Sequence, residues 1–329
     1  MNRIYTSFDG EQSRKSLPGL CLELLSEQKK TWPACCRGYE SLEHIKIREI
    51  ACNGFIVRVQ HNPGRIKSTL ADVEEKWIKE RPCFLCLDNL PEEQKGIFYR
   101  NEYLILCNPA PVFPSHFTIC YKEHRPQSIA EHVDTFLQLM VDLGKDWTVL
   151  YNGPGCGASA PDHLHFQAVP SGQMPVETEL TAKKNFIVIQ KADGVLLSQI
   201  SNIGREAITL EGDNPITLGK TFRRIISELK KNLFTEKEPM INIAGFYSEK
   251  KLLLMIFPRA KHRPDAFFRE GDARLMVSPA VVEMGGIIVT PVEKDFEVMN
   301  ALIAEGIFRE VSLDGKILNR VFDSIARDL

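Results

Sequence analysis

The 329 residues predict a globular chain of mixed helices and strands, organised as two units. Three observations carry this expectation. At roughly 150 residues per domain, the length suits two domains or one large one. Short alternating segments that suit strands are interleaved with longer stretches whose apolar residues recur at helical spacing. An echo joins the halves: YLILCNPAPVFPSHFTICYKEHRP (Tyr103–Pro126) and MINIAGFYSEKKLLLMIFPRAKHRP (Met240–Pro264) both end in a strand, basic residues and His-Arg-Pro, with His124 and His262 in the tripeptide. A fixed-offset echo suggests related units.

Hydrophobic residues make up 43% and charged residues 26%, enough for a sizeable core, so disorder is not expected. Lys+Arg 41 against Asp+Glu 43 leaves a net charge of −2, which argues against broad nucleic-acid binding but leaves room for a local phosphate pocket. The polar start, Met1–Gln12, is no signal peptide, and no run of 18 apolar residues predicts a membrane span. A reducing, cytoplasmic compartment is the expectation. There, paired cysteines among the nine point to metal or redox chemistry before structural disulfides.

In chain order, Leu17–Gln28 reads as a helix and Gly54–Gln60 as a strand. His61–Gly64 reads as a turn, followed by a small basic cluster that includes Arg65 and Lys67. Arg81–Pro91 is a proline-punctuated loop carrying Cys83 and Cys86. Tyr103–Cys107 and His116–Tyr121 are strands. Ser128 opens a helix to about Leu143, with Glu131 at capping-box spacing and Val133, Phe136, Leu137 and Met140 on one face. Trp147–Tyr151 is a strand. The loop NGPGCGASAPD then leads into a strand over His163–Val169. The polar SGQMPVETE stretch sets a boundary: residues 1–178 form the first unit and 179–329 the second. The second unit is expected to hold strands near Phe186–Gln190, Met240–Tyr247 and Leu252–Phe257, the last two forming a hairpin. Its helices are expected at Leu218–Asn232, Lys294–Ala304 and Lys316–Arg327.

The chemistry concentrates in His163-Leu164-His165-Phe166-Gln167. Side chains two apart share a strand face, so the two histidines and Gln167 line one face while Leu164 and Phe166 pack on the other. Taken alone, a solvent-facing edge strand with a chance His-x-His is as good a reading. The preceding loop, Asn152 to Ser159, changes the balance. Its small residues let backbone N–H groups cradle an anion. A neutral imidazole beside such a cradle suits nucleophilic attack on phosphorus, with Gln167, the Ser159 hydroxyl and backbone N–H groups as donors to the developing charge.

Cys83-x-x-Cys86 is half of a tetrahedral metal site. Histidines would complete it: His163, with His124 or His116 as the fourth ligand. His163 suits the metal and His165 the nucleophile, because one imidazole nitrogen cannot serve both roles. A complete Cys2His2 zinc has no open position and is structural.

The segments CFLCLDN (Cys83–Asn89), CYKEHRPQSI (Cys120–Ile129), NGPGCGAS (Asn152–Ser159) and HLHFQ (His163–Gln167) together resemble the galactose-1-phosphate uridylyltransferase branch of the histidine-triad superfamily. HLHFQ is especially similar to the motif of the GDP-hexose phosphorylases, and diadenosine tetraphosphate phosphorylases are close relatives. The resemblance spans about Arg81–Pro170.

It implies an α+β fold of two tandem histidine-triad-like units, each an antiparallel sheet flanked by helices. It implies a structural zinc on Cys83, Cys86, His124 and His163, with His124 taking precedence over His116. It makes His165 the nucleotidylated residue and Gln167 the phosphoryl-binding glutamine, with Ser159, Asn152, Gly153 and Gly157 in the phosphate loop. Arg65 and Lys67 stand where the family has phosphate-binding arginines. Arg274 and Glu283 fall in RLMVSPAVVEMGG, similar to a segment that contacts a sugar phosphate.

The implied activity is nucleotidyl transfer from a nucleotide-sugar, GDP-hexose first, to phosphate or a sugar phosphate. The alternatives are a diadenosine polyphosphate phosphorylase and a non-catalytic nucleotide-binding protein on the same scaffold. The APD spacer after Ser159 and the apolar Leu164 and Phe166 depart from the uridylyltransferase pattern. No nucleic-acid or membrane partner is expected, and a monomer or homodimer is.

Overall fold

The computed structural model describes residues 3–10, 13–70, 78, 80–182, 185–200 and 203–327. Its centre is an 11-stranded sheet ordered β1-β4-β5-β6-β8-β7-β12-β13-β11-β10-β9. The strands of the first half are β1 (Ile4–Phe8), β4 (Gly96–Tyr99), β5 (Tyr103–Cys107), β6 (Phe117–Tyr121), β7 (Trp147–Asn152) and β8 (His165–Pro170). Those of the second half are β9 (Phe186–Ala192), β10 (Val195–Ile200), β11 (Ala207–Gly212), β12 (Ile241–Ser248) and β13 (Lys251–Pro258). A smaller sheet, β14-β3-β2, is formed by Ile287–Thr290, Ile56–His61 and Lys46–Ala51.

The order contains a repeat. In the first half, the antiparallel strands β4-β5-β6 are followed by the helix Val133–Leu143, then by the pair β7 and β8, with β8 returning beside β6. In the second half, β9-β10-β11 are followed by the helix Pro215–Leu233, then by β12 and β13, with β13 returning beside β11. The two units join where β7 pairs antiparallel with β12, Asn152 opposite Asn242. This is an α+β architecture of two repeated units, as the resemblance implies.

The echo in the sequence does not mark that repeat. His124-Arg-Pro follows β6, the third strand of its unit, whereas His262-Arg-Pro follows β13, the fifth. The topologies match and the tripeptides do not superpose on them.

Each face of the large sheet buries a separate core. Alternation along the strands makes this possible: Leu252, Leu254 and Ile256 of β13 join one cluster, and Met255 and Phe257 the other. The first cluster takes the apolar faces of the helices Leu17–Thr31, Val133–Leu143, Pro215–Leu233 and Gly315–Arg327. Leu17, Leu20, Cys21, Leu24 and Leu25 are buried at helical spacing, and the helix ends at Trp32, where Pro33 starts the next. The second cluster packs the small sheet and the helix Ala301–Val311 on the other face, against strands of both units, and a smaller one around Leu104, Leu106 and Cys120 lies apart from it.

Several expected elements shift for identifiable reasons. The helix expected from Ser128 starts at Val133 with no side-chain cap. Ser128 Oγ instead donates to Glu238 at 3.2 Å, and Glu238 also takes the Ile129 N–H at 2.7 Å, which holds that segment out of the helix. The helix expected over Lys294–Ala304 is two, Glu293–Val298 and Ala301–Val311, because Asn300 caps the second through the Ile303 N–H at 3.1 Å. The β12–β13 hairpin forms as expected, with Glu249 and Lys250 both at positive φ, the primed-turn conformation that matches strand twist. Among the described residues, no helix is long and apolar enough to cross a membrane.

Candidate active site

β8 begins at His165, two residues later than expected. His163 stands in the turn before it, its N–H donating to Ala160 O at 3.1 Å. This small shift separates the two histidines. His165 and Gln167 line a cavity of about 370 Å³, a volume suited to a small-molecule ligand, whereas His163 turns toward the cysteines. Leu164 and Phe166 lie on the other face, buried as expected, with Phe166 packed among Tyr103, Phe136 and Tyr151.

The His165 ring is held by its own backbone neighbourhood. Its Nδ1 lies 2.8 Å from His163 O, a bond in which Nδ1 donates and Nε2 keeps its lone pair. Burial lowers the pKa to about 4, so the ring is neutral at physiological pH. Gln127 fixes the strand start: Oε1 accepts the His165 N–H at 2.7 Å, and Nε2 donates to His165 O and Asn152 O.

Gln167 is oriented by His116. The Val112 N–H donates to His116 Nδ1 at 3.3 Å, so Nε2 carries the proton and donates to Gln167 Oε1 at 2.7 Å. The sequence offers His116 as an alternative metal ligand; the structure makes it instead a buried neutral ring, its pKa lowered to about 4 by burial, outside the cluster of Cys83, Cys86, His124 and His163.

The loop after β7 is braced from the second unit. Asn152 Oδ1 accepts from Asn242 Nδ2 and from the Val281 N–H, both at 2.8 Å. Asn242 Oδ1 in turn accepts from Arg259, which is 2% exposed and also donates to the carbonyls of Pro279, His262 and Val311. With its oxygen committed twice, Asn152 has only its amide N–H groups left for a ligand, and it lines the cavity.

Gly157 has φ +106°, and a Cβ there would lie 2.5 Å from Ala280 Cβ, so glycine is required on both counts. Among the described residues, the N–H groups of Gly157, Ala158 and Ser159 make no backbone hydrogen bond. Ser159 is exposed on the cavity lining. Gly153 departs from expectation: its N–H donates to Ile241 O at 2.9 Å, and it is not part of the lining.

Arg65 and Glu283 both reach the cavity. Arg65 donates to Ala110 O at 2.7 Å, and Glu283 accepts the Ala280 N–H at 2.9 Å. Burial lowers the pKa of the first and raises that of the second, and each opposes the other's shift. Arg274 is not in the lining; it donates to Phe267 O and packs over the Phe267 ring. The side chain of Lys67 lies outside what is described.

Cys83, Cys86, His124 and His163 gather so that one ligand atom from each lies within 4.8 Å of the others. Cys83 Sγ is 3.2 Å and Cys86 Sγ 3.6 Å from His163 Nδ1, and Cys86 Sγ is 3.3 Å from His124 Nδ1. Ligand atoms around a tetrahedral zinc stand about 3.3–3.8 Å apart, given Zn–S near 2.3 Å and Zn–N near 2.0 Å. His163 Nε2 donates to Tyr121 O at 2.7 Å, which leaves Nδ1 a free lone pair facing the thiols. The donor set therefore fits a metal ion.

Local sequence signals could not show Gln127, Asn242, Arg259 or the role of His116. Gln127 falls inside CYKEHRPQSI, and His116, Asn242 and Arg259 fall inside the two echoed stretches, but nothing in those segments marks their roles.

Residues 24–170 match the model of a domain family of unknown function, DUF4922. No curated protein matches the sequence. The structure is similar to the crystal structure of yeast Ap4A phosphorylase Apa2, at 15% identity and a TM-score of 0.60, covering 91% of this chain and 95% of that one. The complex of the same yeast protein with Ap4A matches at 14% identity and a TM-score of 0.60, over 91% and 98% of the two chains. ADP-glucose phosphorylase from Arabidopsis thaliana matches less well, at 14% identity and a TM-score of 0.37, over 82% and 100%. A likeness at this identity establishes architecture: the chain has the two-unit α+β fold of yeast Ap4A phosphorylase Apa2.

Proposed function

We propose that this protein transfers a nucleotidyl group through a covalent nucleotidyl-His165 intermediate. The carrying observation is the His165 ring: buried, neutral, with Nδ1 spent on His163 O and Nε2 free at a cavity. Nε2 attacks the α-phosphorus, the P–N bond forms, and the P–O bond to the leaving group breaks. Nδ1 keeps its proton throughout, and the charge on the phosphorylated ring is met by the His163 carbonyl. The Gln167 amide, the Asn152 amide, the Ser159 hydroxyl and the Gly157–Ser159 N–H groups would receive the phosphoryl oxygens, a role supported by their position on the lining of the cavity and of the small pocket beside it. An acceptor oxygen then takes the nucleotidyl group and the ring returns to neutral.

The donor class is a nucleotide-sugar, GDP-hexose first, on the likeness of HLHFQ to the GDP-hexose phosphorylases. A dinucleoside polyphosphate is the second reading, favoured by the fold shared with Ap4A phosphorylase Apa2. A zinc on Cys83, Cys86, His124 and His163 would supply a closed structural link between the 83–86 loop and the start of β8.

The test is intact-protein mass spectrometry after brief incubation with GDP-, UDP- and ADP-sugars and diadenosine polyphosphates, without phosphate. A gain of one nucleoside monophosphate, acid-labile and lost in His165→Ala, is expected and names the base. No gain with any donor in metal-replete protein overturns the covalent mechanism and leaves a binding role.

A further inference from the structure

The cavity beside His165 has a far end that the transfer chemistry does not use. Across the large sheet, Gln167 of β8 stands opposite Thr118 of β6, Thr118 opposite Leu106 of β5, and Leu106 opposite Gly96 of β4. Neighbouring strands lie about 4.8 Å apart, which puts Gly96 about 14 Å from Gln167. Gln94 stands two residues before Gly96 and lines the cavity. A nucleotide whose phosphorus sits at His165 and Gln167 has this end left for its base.

Gln94 is 5% exposed, and among the described residues its side-chain amide makes no hydrogen bond. A buried amide without a partner is rare, and this one borders a cavity. One residue fixes the backbone on both sides of it. Gln28, buried on the helix Leu17–Thr31, donates through Nε2 to Glu93 O at 3.1 Å and accepts the Lys95 N–H through Oε1 at 2.9 Å. The Gln94 N–H donates to Pro91 O at 3.1 Å. The backbone that carries Gln94 is thus already ordered, so less ordering opposes the binding of a ligand. The same helix ends at Trp32, which is also in the lining.

The chemistry of this wall is narrow. With Gln94 stand Trp32, Leu85, Pro91 and Leu106, a mainly apolar surface. Arg65 and Glu283, the charged residues of the lining, also border the small pocket shared with Gly157 and Ser159, so they belong to the opposite end. An amide offers one donor and one acceptor in a single plane. Adenine presents the matching pair, the N7 acceptor and the N6 amino donor, and a glutamine bonds both. Guanine presents two acceptors on that edge, O6 and N7, a pattern read by arginine or lysine. Its N2 amino group would also go unbonded on an apolar wall.

We propose that Gln94 reads the base of the donor nucleotide and selects adenine. The inference rests on the reading of this cavity as the nucleotide site. HLHFQ, the segment that put guanine first, lies at the phosphoryl end and contains no residue of this wall. The base is decided by residues outside that motif.

The test is calorimetric titration of AMP and GMP, separately, into the full chain and into its Gln94→Leu and Gln94→Glu variants. The unmodified chain is expected to bind AMP at least tenfold more tightly than GMP, the scale of one two-point contact to a base. Gln94→Leu is expected to lose that preference, whereas a merely structural role would weaken both nucleotides alike and keep it. Gln94→Glu, with two acceptors and no donor, is expected to narrow or reverse the preference. If Gln94→Leu does not fold, Gln94→Glu carries the comparison. GMP bound as tightly as AMP overturns the proposal, as does a preference that survives in Gln94→Leu or the absence of binding by both nucleotides. Adduct formation at His165 is read in parallel. An adenine preference that depends on Gln94, with no adduct from any donor, leaves the base reading standing and removes the covalent mechanism. An adduct from GDP-sugars alone removes adenine and leaves the mechanism.

Discussion

The Nε2 of His116 lies 2.7 Å from Oε1 of Gln167, and the Val112 N–H at the far side of the same ring sets which nitrogen carries the proton. A neutral ring held in this tautomer leaves the Gln167 NH2 facing the cavity. In the proposed reaction His116 is thus a positioning residue, acting on phosphoryl oxygens only through Gln167.

His116→Ala frees the Gln167 amide to turn its oxygen toward the phosphoryl group. Formation of the nucleotidyl adduct is expected to slow about 10²-fold, the scale of losing one oxyanion donor. His116→Gln, whose amide donates to the same oxygen, recovers part of the rate. A purely structural role predicts instead that rate follows thermal stability across the two variants.

Asn152→Asp keeps an oxygen for Asn242 and Val281 but replaces the amide donor with a negative charge. The fold is expected to persist, with an unchanged circular dichroism spectrum. Adduct formation is expected to fall by at least about 10²-fold, since repulsion adds to the lost donor. Retained activity would remove Asn152 from the phosphate-binding set.

The four-residue cluster predicts about one equivalent of zinc in purified protein, read by elemental analysis. Burial, then the neighbouring Cys83, push the Cys86 thiol up to about 11, so binding a cation releases protons. Cys83→Ser or His124→Ala is expected to lose the metal and lower the melting temperature by about 5–10 °C, at about 2–4 °C per kcal/mol for a chain above 150 residues. A metal content unaffected by these variants contradicts the assignment.

Gly157→Ala forces a Cβ against Ala280 at a φ that L-residues rarely adopt. A cost of about 1–3 kcal/mol is expected, together with weaker donor binding, because Ala280 belongs to the cavity wall. Urea denaturation and donor titration read the two effects. Gly172→Ala, also at positive φ but with nothing within 4 Å of its new Cβ, separates backbone strain from the clash.

Stability is expected to fall on the acid side. His116 and His262 are both lowered from 6.5 to about 4, chiefly by burial. As pH drops from about 6.5 toward 4, the unfolded chain takes up protons that these buried rings do not, so unfolding is favoured. Urea midpoints should decline across that window and hold steady above it. His262→Gln should make the decline shallower, and an unchanged slope would mean that His262 does not contribute.

The sequence by itself determined whatever is set by spacing along one segment. Period-2 alternation placed His165 and Gln167 together at the cavity and Leu164 and Phe166 in the core. The pair Cys83 and Cys86 and the glycine loop were equally local, because a few covalently linked residues constrain one another directly. The meeting of Cys83 with His163 was expected from the ligands a half-complete metal site needs, and the family resemblance only put His124 ahead of His116 as the fourth. Tertiary structure decided the rest. The turn at Ala160 sends His163 and His165 to different places, which alternation alone cannot foresee. Asn242 and Arg259 brace the loop that starts at Asn152 only because β12 pairs with β7 across the join between units. His116 meets Gln167 because β6 pairs with β8. Such contacts depend on which distant segments share the burial of one core, and no short window of sequence contains that information.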